Sequence, residues 1–451
     1  MDTLTALHAQ KIKRISEQVR NLDVHTSHVH IAKGGVNHVV PIPGDTRFRG
    51  KAINVKELDE ILLIDPRKKI CVAEPGVRFS TLIKETVKVG FIPTVVPELE
   101  GITIGGAVAG CSVESMSYKY GGFHDSCLAY EVIQTDGTVI TCSPKKDRLL
   151  FEMVHGSYGT LGILTKLTFR LIPAKQFVKM TYRHYDTIAD FKRDTLIHCR
   201  THDHDFIDAI FHTKDKLVLC LGDFVDKAPY VSNYRGTQIF YKSTLAKNED
   251  YLSTFDYCFR YDTECHWLSK TYPVLETPIV RYLFGKYFLG STNMLTWAKR
   301  LEQILKLKKR PDVVCDVFIP SKRLEDFYHW YTTTFDFFPL WVVPYRFPTV
   351  YPWLDTAYAK KMIKSSEDNI VFDCAIYGKP NSEPDVDYSV LLEEATVRMK
   401  GIKTLISRNH FAREVFWRIY NRKNYLFSKK RLDPRGLFPS LYEKFHTILH
   451  T

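Results

Sequence analysis

The 451 residues include no apolar run of the roughly 18 residues that a membrane-crossing helix needs, so no transmembrane helix is expected. The N-terminus also lacks the apolar stretch of a secretory signal. Residues 1 to 22 are polar and charged, with Ile12, Ile15, Val19 and Leu22 spaced for a short amphipathic helix. The ten cysteines include no C-x-x-C pair and no zinc-ligand spacing with histidine. They read as buried free thiols in a reducing, cytoplasmic compartment, and no metal site is expected. No G-x-G-x-x-G opens a helix after a strand and no Walker A is present, which excludes the usual nucleotide loops. His155-Gly156-Ser157-Tyr158-Gly159 misses a nucleophile elbow by its first residue. There is no internal repeat and no low-complexity linker.

What the sequence does have is ordinary globular composition, 45% hydrophobic and 25% charged, at a length that implies two domains or one with a large insertion. The net charge of +12 suits anionic lipid or a phosphorylated cofactor. Nucleic acid is not expected as a partner, because the cations are scattered and no recognition motif accompanies them. The densest basic stretch, Lys299 to Arg310, alternates with Leu301, Ile304, Leu305 and Leu307 at helical spacing. It reads as a solvated helix face or as a helix lying on a membrane surface.

Residues 28 to 175 have mixed α/β character. Strands are expected at Val29–Ile31, Lys51–Val55, Ile70–Glu74 and Thr138–Thr141. Ser80 is placed to cap a helix over Thr81 to Val89, stopped by Gly90. Asp136-Gly137 predicts a hairpin turn, and the alternating run Leu164–Pro173 a closing strand. Beyond residue 175 aromatics dominate. The richest stretch, Phe327 to Trp353, cannot be helical through its second half because of prolines 339, 344, 348 and 352. Its aromatics suit either a core or an apolar substrate cleft. Val313–Ile319 and Ile370–Tyr377 read as strands, and the C-terminal stretch as helices around a loop at Asp433-Pro434-Arg435-Gly436.

The stretch Pro93 to Ser115 holds Gly101, Gly105, Gly106 and Gly110, with Ala107 and Ala109 between them. Such density allows close backbone approach. It serves either a diphosphate at a helix start or a glycine-packed turn. Downstream follow Lys119-Tyr120-Gly121, Glu131-Val132-Ile133, Thr135-Asp136-Gly137, the run Gly156 to Ile163, and Leu171-Ile172-Pro173. This ordered series resembles the FAD-binding domain of the vanillyl-alcohol-oxidase/p-cresol-methylhydroxylase (PCMH) superfamily. The resemblance implies FAD. It assigns the diphosphate to Thr103, Ile104, Gly105, Gly106, Ala107, Val108, Ala109, Gly110, Cys111, Ser112, Val113, Glu114 and Ser115, and a second contact to Gly159, Gly162 and Ile163. Glu114 and Lys119 would order the loop. An earlier family loop corresponds to Lys33-Gly34-Gly35-Val36-Asn37-His38, where His38 is either a covalent flavin anchor or a polar loop residue. Non-covalent FAD is the expectation.

Further features narrow the likeness to the Δ24-sterol reductases. They are P-x-V-V-P-E-L at 93 to 99, the run from Gly110 to Gly121, Arg281 to Gly285, Val313–Pro320, Pro339-Leu340-Trp341, Phe416-Trp417 and Phe438-Pro439. Eukaryotic members carry an N-terminal anchor not expected here, and Ile406 to His410 also departs. The likeness implies an α+β fold, a PCMH-type domain of two α+β subdomains over residues 1–175. An α+β cap over 176–400 and C-terminal helices (401–451) packing back would complete it. It also implies NADPH-driven reduction of an isolated C=C in a sterol or other isoprenoid lipid. Such an alkene needs a proton donor in a dry cleft. Tyr377, Asp373 and His410 are the candidates, the first two on one face of a single strand. The rival readings are a flavin oxidase or dehydrogenase of an alcohol or sugar, and a non-catalytic flavin-binding protein. Contact with a membrane surface is a further expectation.

Overall fold

The computed structural model describes residues 3–23, 29–34, 47, 50–271, 273–302 and 310–446. The amphipathic start forms helix α1 (Thr3–Arg20), which buries Ile12, Ile15 and Val19 as their spacing requires. His8 and Lys11 on the same helix reach Glu74, and His8 also reaches Glu131, so the helix is held by charge as well as by apolar contact. Beneath it, two short parallel strands pair, β1 (Val29–Ala32) and β2 (Lys51–Asn54).

A six-stranded antiparallel sheet follows, built from β3 (Ile61–Asp65), β4 (Ile70–Ala73), β5 (Phe91–Pro93), β6 (Cys127–Ile133), β7 (Val139–Cys142) and β8 (Ile163–Pro173). Its order is β3-β4-β8-β6-β7, with β5 also on β8. The run that alternates in sequence, β8, therefore lies at the centre. The Asp136-Gly137 hairpin joins β6 to β7, Gly137 taking the positive φ of 82° that the tight turn demands. Helix α2 (Phe79–Val87) begins one residue before Ser80. The Phe79 N–H is taken by the Ile102 carbonyl, and the Ser80 hydroxyl donates to the Glu100 carbonyl instead of capping the helix.

Three residues beyond β8 the backbone enters a second sheet, wholly antiparallel and eight-stranded. Its members are β9 (Phe177–Tyr185), β10 (Phe206–Thr213), β11 (Lys216–Val225), β12 (Glu249–Ser253), β13 (Val313–Pro320), β14 (Leu340–Arg346), β15 (Ile370–Lys379) and β16 (Ile402–Lys403). The order is β12-β9-β11-β10-β14-β15-β13-β16. Period-two alternation splits its side chains between two faces. One face (Ile207, Ala209, Leu219, Val317, Val342, Cys374) packs under the helices Ile188–Thr201, Leu324–Trp330 and Tyr388–Arg398. The opposite face (Val178, Met180, Ile210, Cys220, Trp341, Val343, Ala375) shares a core with the six-stranded sheet.

The aromatic stretch 327–353 belongs chiefly to the core. Phe327, Tyr331 and Phe335 lie on the Leu324–Trp330 helix and the π-helical turn Tyr331–Phe335 that continues it, and are buried against the sheet. The C-terminal helices return to the first sheet. Tyr425 donates to Thr160 Oγ1 at 3.0 Å, Lys429 to the Thr160 carbonyl at 2.8 Å and Lys444 to the Tyr158 carbonyl at 2.7 Å. All ten cysteines are free. Among the described residues no helix is long and apolar enough to cross a membrane.

Candidate active site

Between the two sheets lies a cavity of about 1290 Å³. One wall is the glycine stretch, folded as helix α3 (Ile104–Gly110). Thr103 caps it, its hydroxyl accepting from the Gly106 N–H, and the Gly105 N–H is bonded to the Pro75 carbonyl. These two amides are therefore committed inside the protein. The glycines act by having no side chain. A Cβ on Gly105 would sit 2.5 Å from Pro75 Cβ, so only glycine allows the helix to seat there. A Cβ on Gly106 would lie 3.5 Å from Lys33 Nζ, so its absence keeps open the space between loop and ammonium. Burial lowers the Lys33 pKa.

A second wall comes from the Gly156 to Ile163 turn. Tyr158, Gly159 and Gly162 have φ of 48°, 71° and 91°, a left-handed path that brings backbone to the cavity surface. The Tyr158 hydroxyl accepts from the Leu405 N–H at 3.0 Å, and its ring packs on Phe445. Phe445 and Lys444 complete this wall from the C-terminal helix.

The third wall is acidic and comes from the large sheet. Alternation along β13 turns Val314, Asp316 and Phe318 to the cavity, and along β15 Asp373 and Tyr377. Glu98 and His266 join them, His266 Nε2 lying 2.8 Å from Glu98 Oε1. Burial, the largest single influence, would raise Glu98, but the His266 hydrogen bond and charge, a backbone hydrogen bond and the Arg260 charge together outweigh it and hold this carboxyl below its ordinary range. Asp316 is pushed up to about 7, first by burial and then by the Glu98 charge, while the Thr404 and Tyr377 hydroxyls pull it part-way back. Burial, with Asp316 and Glu98 nearby, raises Asp373 well above the carboxylate range. Asp316 Oδ1, Asp373 Oδ1 and His266 Nδ1 are buried with no partner. The cluster thus sets one acid held protonated, Asp373, beside Asp316 and the ionised Glu98, with polar atoms left unsatisfied, the condition of a site awaiting a ligand.

Of the residues read from the sequence, Thr103, Gly105, Gly106, Ala109, Gly110, Cys111, Ser112 and Val113 line the cavity, as do Gly159, Gly162, Ile163, Asp373 and Tyr377. Ile104, Ala107 and Val108 form the buried back of α3. Glu114 and Ser115 turn away from the cavity. Glu114 Oε1 lies 2.7 Å from Arg260 Nη2, and Ser115 Oγ 2.9 Å from the Tyr257 hydroxyl. His410 is also elsewhere, its N–H on Glu393 and its ring 3.3 Å from Ser389 Oγ. His38 lies outside the described residues. Of the 327–353 stretch, Trp341 lines the cavity. Sequence reasoning missed Lys33, Glu98, Asp316 and His266 as site residues. Asp316 carried a signal, a lone charge on the Val314–Phe318 face of an apolar strand. His266 carried none, since it comes from an irregular loop.

Residues 6–143 match the family of the FAD binding domain. This protein carries an FAD binding domain. Nearly its full length also resembles the Delta(24)-sterol reductases. It is 27% identical to the Delta(24)-sterol reductase of Homo sapiens, the match covering 97% of this chain and 86% of that protein. The Mus musculus enzyme of the same name is 28% identical over the same shares. The Delta(24)-sterol reductase homolog of Caenorhabditis elegans is 25% identical, over 97% and 87%. The cavity fits the dinucleotide. Lys33 sets a buried amine beside the bare face of Gly106, suited to a diphosphate, and the left-handed glycine turn offers backbone to a flat ring.

Proposed function

We propose that this protein is an FAD-dependent reductase of an isolated C=C bond, at the Δ24 position of a sterol or in a related isoprenoid lipid, with NADPH as the electron source. One observation carries the reading. A single cavity joins Lys33 and the glycine loop to the buried carboxyls of Asp316 and Asp373, and at about 1290 Å³ it exceeds the roughly 300–1,000 Å³ of a site for one small ligand. The full-length likeness to Delta(24)-sterol reductases supports it. In this reading Lys33 and the 103–113 loop hold the diphosphate, and Gly159, Gly162 and Ile163 support the other contact. Residues 1–175 serve as the FAD domain, 176–400 as the cap and 401–451 as the returning segment.

FAD bound there supplies hydride chemistry. The protein's own task is to protonate an unactivated alkene, which needs an acid neutral at physiological pH and shielded from water. Asp373 meets that requirement and is the proposed proton donor. Asp316 and Tyr377 hold the proton in reserve beside it. The Trp341 face lends an electron-rich wall to the positive charge that protonation creates.

The test is the anaerobic absorption spectrum of the purified holoprotein. NADPH should bleach the flavin bands and a Δ24-sterol such as desmosterol should restore them. A flavin indifferent to NADPH but bleached by an alcohol or sugar would replace this reading with an oxidase, and a protein that takes up no FAD would end it.

A further inference from the structure

The helix Pro278–Phe288 is built inside out. Its arginine, Arg281, points inward and is buried, with Nε and Nη2 donating to the Gly236 and Gln238 carbonyls at 2.9 Å and Nη1 paired with Glu264 at 2.7 Å. Its apolar residues point outward: Tyr282 is 81% exposed, Ile279 74% and Leu283 56%, with Phe284 and Tyr287 also in solvent. A helix normally turns its cation to water and its apolar stripe to the core. Here the arginine anchor holds the reverse orientation in place. A patch of this kind on a soluble surface marks an interaction site.

Two observations say what covers it. The first is charge. From Thr277 to Leu301 the sequence carries Lys286, Lys299 and Arg300, apart from the buried Arg281 that Glu264 neutralises, and no acidic residue. Arg300 lies over the Trp297 ring, at the edge of the same surface. The second is continuity with the cavity. Val274 and Leu275 before the helix, Phe288 at its end, and Met294, Leu295 and Trp297 on the following helix Ser291–Glu302 all line the cavity. The exposed apolar face and the cavity mouth are thus one continuous apolar surface under positive charge.

We infer that the Pro278–Phe288 helix docks the protein on an anionic lipid bilayer and sets the cavity mouth against it, so that an apolar substrate passes from the membrane into the site without crossing water. Apolar insertion and attraction to anionic headgroups combine in this mode of binding. The docking surface is this helix; of the basic run Lys299–Arg310, residues 303–309 lie outside the described residues, and the aromatic run 327–353 is chiefly core. The substrate route rests on the proposed function; the docking does not.

The experiment is co-sedimentation of the holoprotein with vesicles of phosphatidylcholine alone or with about one-third phosphatidylserine, compared with the variant Ile279→Ser/Tyr282→Ser/Leu283→Ser. None of these side chains lines the cavity, so flavin content and turnover of detergent-dispersed substrate should be unchanged. The wild type should bind the anionic vesicles, more weakly as salt rises. The variant should lose at least tenfold in partition, and only its turnover of vesicle-borne substrate should fall with it. A wild type that ignores both vesicles at low salt, or a variant that binds as the wild type does, would overturn the docking. So would a dimer that the variant dissociates without change in vesicle binding, since a second copy would then cover the helix. Vesicle binding without any sterol reduction would instead leave the docking intact and remove the reductase reading.

Discussion

The imidazole of His266 lies flat on the ring of Tyr377, centroids 4.0 Å apart and planes 12° from parallel, while its Nε2 holds Glu98 at 2.8 Å. The stack fixes where the Tyr377 hydroxyl sits relative to Asp316 and Asp373, so His266 is a positioning residue. Tyr377→Phe should keep FAD and the NADPH step while slowing sterol-dependent reoxidation about tenfold. Asp373→Asn, which removes the proposed donor itself, should slow it by about 10²–10⁴-fold. Stopped-flow reoxidation of pre-reduced enzyme measures both. Equal, small effects from the two changes would remove Asp373 as the donor.

Asp316 gives the pH dependence its sign. Its pKa in the fold is about 7, against about 3.9 in an unfolded chain. Between those values the folded state binds more protons, so this group favours folding at low pH and that contribution is lost as pH rises through about 7. Asp316→Asn should therefore shrink the fall in Tm between pH 5 and pH 8. The proton reserve is lost in the same window, so the reoxidation rate should decline above about pH 7 in the wild type and be flatter in the variant. Because the Glu98 charge raises Asp316, Glu98→Gln should move the decline to lower pH.

Much of this site was legible in one dimension. Asp373 and Tyr377 are four residues apart in an apolar strand, and strand periodicity alone places them on one face. The glycine stretch was legible for the same reason, since nothing but close approach calls for four glycines there. The means of approach was not. The amides of Gly105 and Gly106 are used up by Pro75 and Thr103, and what the loop turns to the cavity is a surface cleared of side chains. His266 and Glu98 meet across 168 residues from two irregular segments, a pairing that no local pattern encodes. The Pro278–Phe288 helix misleads in the opposite way, because its apolar residues suggest a core face and its arginine a solvent face.

The two adjacent glycines should separate by phenotype. Gly105→Ala drives a Cβ to 2.5 Å from Pro75 Cβ and 2.9 Å from its carbonyl oxygen, both held by the fold. It should destabilise even the apoprotein, by about 1–3 kcal/mol. Gly106→Ala meets Thr103 Oγ1 at 3.2 Å and Lys33 Nζ at 3.5 Å, the latter the end of a flexible side chain. Its apoprotein should melt near the wild-type temperature while FAD affinity falls at least tenfold. Lys33→Met should weaken FAD by about 10–100-fold, the range for a charge-assisted hydrogen bond. FAD titration by fluorescence quenching, alongside apoprotein melting, reads all three. If Gly106→Ala weakens FAD no more than it weakens the fold, the bare face beside Lys33 is not the diphosphate site.

The end of the flavin loop is tied to the large sheet by one buried cation. Arg260 Nη2 lies 2.7 Å from Glu114 Oε1 and 3.0 Å from Asp208 Oδ2, and Asp208 also accepts from the Tyr261 hydroxyl at 2.7 Å and from Trp341 Nε1 at 2.9 Å. All three charged residues are buried. Removing the cation alone strands the Asp208 carboxylate in the core and leaves Glu114, already pushed up to about 7 by burial, without the charge that holds it down, so Arg260→Met should cost about 3–5 kcal/mol. Adding Asp208→Asn and Glu114→Gln removes the stranded charges and should recover much of that loss in urea unfolding. The recovered protein should still bind FAD less tightly than the wild type, because Glu114 and Ser115 continue directly from the loop and Arg260 fixes their place against the sheet. A triple variant with full stability and unchanged FAD affinity would mean that the tie holds the fold alone and has no part in shaping the loop.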